Sequence, residues 1–267
     1  MSSFTKSVAY PWALTGIFGA FHLVLTFIPY SVLGMGGGFL TWGMVSAPIV
    51  GFLLGPFYGT IAVFAGSIIG TGIFNLGGIL GPIVPILAPT AGAFAAGALR
   101  TGRVRELFVV FLVAIVLYII GPIGIPALIF IWLHMITFGI IIILLVPKIY
   151  QMLKESVTFE RGRNLKLMPF AVWLFSFIAL MTDHIVGNTA TVFYFHYFGA
   201  MDVPTLVGFW LPITFVYPIE RLVASLILAL VVIAAGEAIV QSGLELPTTP
   251  WESRETKELS AQEIDIG

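Results

Sequence analysis

Asp183, His184 and Asn188 lie inside one long apolar stretch, and Glu220-Arg221 opens the last. Ionisable groups in hydrocarbon are costly, so they turn toward one another, a cavity or a pathway rather than toward lipid. An acid, an imidazole, an amide and a guanidinium at such positions can bind a small polar solute or pass a proton. His184, Asn188 and Thr191 recur at i, i+4 and i+7 and share a helical face, with Asp183 about 100° round from His184.

Depth brings the two polar groups together. Counting about 1.5 Å per residue, Asp183 stands about 22 Å along a helix that begins at Met168, and Arg221 about 30 Å back from Gln241 on the last helix. Both reach the same outer level of a bilayer. Two uses follow: a substrate site facing outward under the Gly34-Met35-Gly36-Gly37-Gly38 loop, or a structural Asp183–Arg221 bridge between helices. Trp42 and Asn75, at the outer ends of their helices, offer a stacking surface and an amide, and both types are also ordinary interface residues. His22 and His134 read as hydrogen bonds to neighbouring helices. Glu237 reads as a snorkelling side chain near the inner surface, and Val192–Phe198 as an aromatic belt.

Catalytic patterns are missing. There is no phosphate loop of the Gly-x-x-x-x-Gly-Lys-Ser/Thr type, no His-Glu-x-x-His and no Gly-x-Ser-x-Gly. Zero cysteines remove disulfides, thiolate ligands and thiol nucleophiles. Asp183, His184 and His196 fit no standard metal spacing. The expectation is a protein that is not an enzyme and that holds no metal or cofactor.

The elements that must position these residues are membrane helices. Of 267 residues, 59% are hydrophobic and 9% charged, which is the composition of an integral membrane protein. The apolar runs exceed the roughly 20 residues that cross a ~30 Å core as helix. Of the 12 Lys and Arg, all but Arg221 lie near the chain ends or in the segments Arg100–Arg105 and Lys148–Lys166. The positive-inside rule puts those segments, Lys6, Arg254 and Lys257 on the cytoplasmic side. The fold class expected is an all-α polytopic transmembrane bundle in the cell membrane, about eight helices with both termini cytoplasmic. The bundle takes residues 1–244 and a charged cytoplasmic tail 245–267.

Expected helices run over about 8–29, 41–54, 57–75, 80–99, 106–120, 124–147 and 168–190, before a final one returning to the tail. Breaks are expected at Gly55-Pro56 and Gly121-Pro122, where proline removes a donor and constrains its predecessor. The outer connections would be 30–40, 76–79, 121–123 and 191–207. The segment 41–54 is short, about 21 Å, and reads as tilted or partly re-entrant. Phe52–Pro56, Gly78–Pro82 and Tyr118–Pro122 repeat a Gly-Pro turn at unequal spacing, as similar helix-breaking turns or a diverged duplication. The basic segments suit anionic lipid or a cytoplasmic partner, and nothing points to nucleic acid.

Four stretches carry a family resemblance. Ala47-Pro-Ile-Val-Gly-Phe-Leu-Leu-Gly-Pro-Phe-Tyr-Gly-Thr-Ile-Ala62 and Gly92-Ala-Phe-Ala-Ala-Gly-Ala-Leu-Arg100 resemble segments of the substrate-binding S-components of energy-coupling factor (ECF) transporters. Tyr217-Pro-Ile-Glu-Arg-Leu-Val-Ala-Ser225 is similar to the proline-led start of their last helix, and Ala9-Tyr-Pro-Trp-Ala13 to the Ala-x-x-x-Ala pattern of their first. The resemblance covers about 9–105 and 205–242. It implies a membrane-embedded binder of a vitamin or other small micronutrient, working with a transmembrane coupling subunit and cytoplasmic ATPases. Ala9 and Ala13 would pack on the coupling subunit, a role suited to small residues that allow close helix approach, and Glu220 and Arg221 would reach the substrate. Asp183, His184, Asn188, Trp42 and Asn75 come from depth and polarity alone. Two further classes remain open: an ion- or proton-coupled secondary transporter or channel, and a structural subunit of a larger membrane complex.

Overall fold

The computed structural model describes residues 9–28, 41–74, 81–157 and 166–242. In chain order the helices are α1 (Ala9–Leu25), α2 (Gly43–Phe74), α3 (Val84–Thr101), α4 (Val104–Ile120), a 3-10 turn (Leu128–Ile131), α5 (Trp132–Leu144), α6 (Pro147–Ser156), α7 (Met168–Tyr197), α8 (Val203–Ile213) and α9 (Tyr217–Ser242). The protein is all-helical over the described residues. By length and apolar composition Met168–Tyr197 and Tyr217–Ile239 can cross a membrane, as can Gly43–Ile73 if counted end to end, and Leu128–Leu144 with Pro147–Ser156 makes a fourth candidate bent by 98°. Such stretches mark a membrane protein.

α2 is broken where the Gly-Pro pair predicts. Gly55 takes φ 78 and ψ 178, outside the helical region and open to glycine without strain. The chain folds back there: a Cβ on Gly59 would lie 2.8 Å from the Cα of Gly51, although residues eight apart in a straight helix are about 12 Å apart. Limbs 43–54 and 56–74 therefore pack antiparallel, with Gly51 and Gly59 at their closest approach. α3 closes over the turn through glycine and alanine. Cβ atoms built on Gly51 or Gly97 would overlap the Ala93 carbonyl and the Gly55-Pro56 backbone respectively. α1 lies along the second limb, with Gly19 against Ala62. His22 bonds Ser46 Oγ at 2.7 Å and Ser67 Oγ at 3.0 Å, tying α1 to both limbs.

The two internal basic segments meet at one end of the bundle. α3 stops at Gly102, φ 102, whose N–H caps Ala98 O. Tyr150 of α6 donates to Leu99 O at 2.6 Å, and a Cβ at Gly102 would sit 3.5 Å from Lys154 Nζ. α6 is amphipathic: Tyr150, Leu153 and Ser156 are buried, while Lys148, Gln151 and Glu155 are exposed.

Several expected boundaries move. The helix expected at 80–99 runs Val84–Thr101, and the one expected at 124–147 is a turn, the 3-10 segment and then α5. The connection expected at 191–207 is mostly helix. α7 continues to Tyr197, the chain turns through Ala200 (φ 51), and α8 begins at Val203 with Asp202 capping it by accepting from Thr205 N at 3.0 Å. The aromatic run 192–198 sustains the helix because its rings have partners: Tyr194 packs on Gly81, where a Cβ would overlap the ring, and Phe193 on Gly121. The loop 34–38 and the tail 245–267 lie outside the described residues.

Candidate functional site

α7 is buried around most of its circumference between Ala171 and Val192, so polar residues on it enter the bundle rather than lipid. α3 makes room for the carboxylate: a Cβ on Gly92 would sit 3.1 Å from Asp183 Cβ. One helical turn further on, Gly187 faces Ala88 in the same way. The pairings Asp183 with Gly92 and Gly187 with Ala88 run in opposite order, so the two helices are antiparallel. Asp183 is 6% exposed and His184 7%.

His184 faces α5 and α9. Its Nδ1 lies 3.1 Å from Nε2 of His134, the rings stacking at 5.0 Å and 18°. One nitrogen of that contact donates and the other accepts. Tyr217, at the start of α9, sets its ring 4.6 Å from His184 and 5.5 Å from His134, and its hydroxyl donates to Phe130 O at 2.8 Å. Phe130 closes the cluster, 5.8 Å from His184. Among the described residues the other nitrogen of His134, Nδ1, is buried with no hydrogen-bond partner, which is uncommon for a buried polar atom.

Arg221 stands one turn beyond Tyr217 and is 3% exposed. Its Nη1 donates to Met44 Sδ at 3.2 Å, at the start of the first limb of α2. The guanidinium lies within electrostatic reach of Asp183, His134, His184 and Tyr217. Asp183 and Arg221 do not touch as a salt bridge; the contact ion pair found among the described residues is Arg103–Glu106 at 3.5 Å. No hydrogen bond to the Asp183 carboxylate is made among the described residues.

The structure therefore brings Asp183, His184 and Arg221 to one place. Asn188 turns back on its own helix, donating to His184 O at 2.7 Å. Glu220 is half-buried, one residue and so about 100° round from Arg221. Trp42 is half-buried against the core just ahead of α2. Asn75 lies outside the described residues. Ala9 and Ala13 are exposed on α1. Sequence reasoning missed Met44, Phe130 and Tyr217, and assigned His134 to helix packing only. One signal was available: Tyr217 and Arg221 are i, i+4 on the last helix, so whatever faces the arginine also faces the tyrosine. Among the described residues no group of three or more His, Asp or Glu could hold a metal ion.

No family model matches the chain, and no solved structure matches it. The chain is similar to the uncharacterized protein MJ0923 of Methanocaldococcus jannaschii, 26% identical over 215 residues, which is 80% of this chain and 66% of the relative. The chain thus spans just under two thirds of the length of the curated relative it matches.

Proposed function

We propose that the protein is a membrane-embedded substrate-binding subunit for uptake of a vitamin or other small micronutrient, similar to the S-components of ECF transporters. One observation carries the reading: Asp183, His184, His134, Tyr217 and Arg221 are enclosed where α5, α7 and α9 meet the first limb of α2. Buried ionisable groups in membrane helices mark a solute or ion site. In this reading the chain crosses the cell membrane about eight times with both termini cytoplasmic, and the site opens outward. Ala9 and Ala13, exposed on α1, support docking of a transmembrane coupling subunit, with cytoplasmic ATPases supplying the energy. No catalytic step is assigned to the chain. Native mass spectrometry of the gently extracted protein tests this: a stoichiometric small solute and co-purified partner subunits are expected. Solute-free protein that moves no micronutrient in cells supplied with genes for a coupling subunit and ATPases would end the reading.

A proton-coupled carrier is the second reading, favoured by the hydrogen bond between His134 and His184. Its mark is gradient-driven, ATP-independent flux by the purified chain alone in liposomes.

A further inference from the structure

α4 carries an arginine on its exposed apolar face. Leu107, Phe111, Ala114 and Tyr118 are buried, while Val109, Val113 and Val116 are exposed on the other side of the helix. Arg105 precedes those valines by four, eight and eleven residues, so it stands on their face, at its charged end. Its neighbour Glu106 is engaged by Arg103 at 3.5 Å. α5 extends the same wall. Phe108 stacks on Phe138 at 5.3 Å and Tyr118 on Phe130 at 5.9 Å, an order that makes the two helices antiparallel. Three residues toward the charged end from Phe108, Arg105 is level with the last turn of α5, where Ile142 and Ile143 are exposed. Past that turn the chain bends by 98° into α6, which exposes Lys148 and places Lys154 Nζ beside Gly102. Apolar exposure thus gives way to cations within one turn on both helices. Segments 100–106 and 147–157 together hold five Lys and Arg against two Glu.

We infer that this wall seats an anionic phospholipid, its chains along Val109, Val113 and Val116, its phosphate on Arg105, and Lys148 and Lys154 at the headgroup rim. This goes beyond the uptake reading and does not depend on it. The occupant must be apolar over three turns and anionic at one end, because the valines and Arg105 share one face. A free phosphate would reach Arg105 alone. A protein docking at the charged end would also meet Arg105, but Val113 and Val116 lie about 12 and 17 Å up the helix from it. A neutral lipid would cover the valines and leave the cations without a counter-charge. The guanidinium fork matches phosphate oxygens in pairs, and basic residues at a membrane surface are drawn to anionic headgroups.

A lipid competition read by native mass spectrometry tests the inference. Delipidated full-length protein is offered equimolar phosphatidylglycerol and phosphatidylcholine with the same chains. Phosphatidylglycerol is expected to be retained over phosphatidylcholine by about fivefold or more, and the preference should shrink as salt rises. Arg105→Gln should remove about fivefold of it, the worth of one basic residue at a membrane surface. Adding Lys148→Gln and Lys154→Gln should remove the rest. Excess glycerol 1-phosphate, which has the phosphate without the chains, should displace neither lipid. Should the variants fail to fold, the lipid and glycerol 1-phosphate arms on the unaltered protein decide the matter alone. Equal retention of the two lipids overturns the inference, and so does a preference that survives the triple substitution. Displacement by glycerol 1-phosphate overturns it in favour of a free-phosphate site. A protein that co-purifies, is lost with Arg105→Gln and leaves no lipid preference gives the wall to that protein instead. Equal lipid retention by protein that carries a solute ends this inference and leaves the uptake reading standing.

Discussion

His22 and His184 are both imidazoles sunk in apolar helices, and their surroundings separate them. Both nitrogens of His22 meet serine hydroxyls, so its hydrogen bonding is complete and its work is to join α1 to the two limbs of α2. His22→Leu strands the buried Ser67 hydroxyl and leaves Ser46 Oγ only its bond to Gly43 O at 3.2 Å, and is expected to destabilise by about 1–3 kcal/mol, read as a lower melting temperature in detergent with ligand binding unchanged. The His134–His184 contact behaves differently. His134→Phe keeps the ring stack but leaves a bare nitrogen on His184, and His184→Phe does the converse. The double variant removes both ends at once and should cost less than the two single costs added, by about 0.5–3 kcal/mol of coupling. Strict additivity in a double-mutant melting cycle would show that the two rings do not interact. Asp183, His184 and Arg221 were legible because each is polar where the chain is otherwise apolar. His134 is just as conspicuous in sequence, but only folding shows that it meets His184. Met44 and Phe130 carry no polar mark at all and take their roles from position.

At the level of elements, glycine has two opposite uses. Gly51 lets α3 approach so closely that an added Cβ would overlap the Ala93 carbonyl, a backbone atom that cannot swing aside. Gly139 of α5 has nothing within 4 Å of its added Cβ. Gly51→Ala should therefore destabilise by about 1–3 kcal/mol or more through overpacking. Gly139→Ala should be neutral or stabilising by up to about 1 kcal/mol, the helix-propensity gain. Opposite signs in thermal melts are the check, and a matched gain at both sites would refute the hairpin packing. α8 gives a pH-dependent case. The hydrogen bonds from Thr205 hold the Asp202 carboxyl below its usual 3.8. A lowered folded value means that the cap contributes fully above the unfolded value and is lost as pH falls through the lower, folded one. Amide exchange at Thr205 should accordingly quicken, relative to the intrinsic rate, below about pH 4, and Asp202→Ala should show the fast rate throughout. The break at Gly55 could be read from the Gly-Pro pair because proline chemistry is local. The continuation of α7 to Tyr197 could not: residues 192–198 read equally as interface aromatics, and what keeps them helical is Gly81 and Gly121, far away in sequence.

For the molecule as a whole, charge placement predicts an orientation, and packing shows which basic segments share an end. The positive-inside argument uses only where Lys and Arg fall, whereas the structure seats Lys154 beside Gly102 through Tyr150 and Leu99. Both internal segments thus lie at one end of the bundle, as the rule requires of segments on one side; the chain ends lie outside the described residues. α7 extends the argument across the bilayer. It starts at Met168, beside the second basic segment, and its 30 residues rise about 45 Å, more than the ~30 Å of a hydrocarbon core. If α7 crosses, Phe198, 79% exposed just past its far end, faces the opposite side from Arg105 and Gln151. Because the chain has no cysteine, single variants Arg105→Cys, Gln151→Cys and Phe198→Cys each offer one thiol to an impermeant maleimide. Arg105→Cys and Gln151→Cys should be labelled only from the cytoplasmic face and Phe198→Cys only from outside. Labelling of all three from one side would mean that α7 does not cross, and Asp183 would lose the membrane burial on which its role depends.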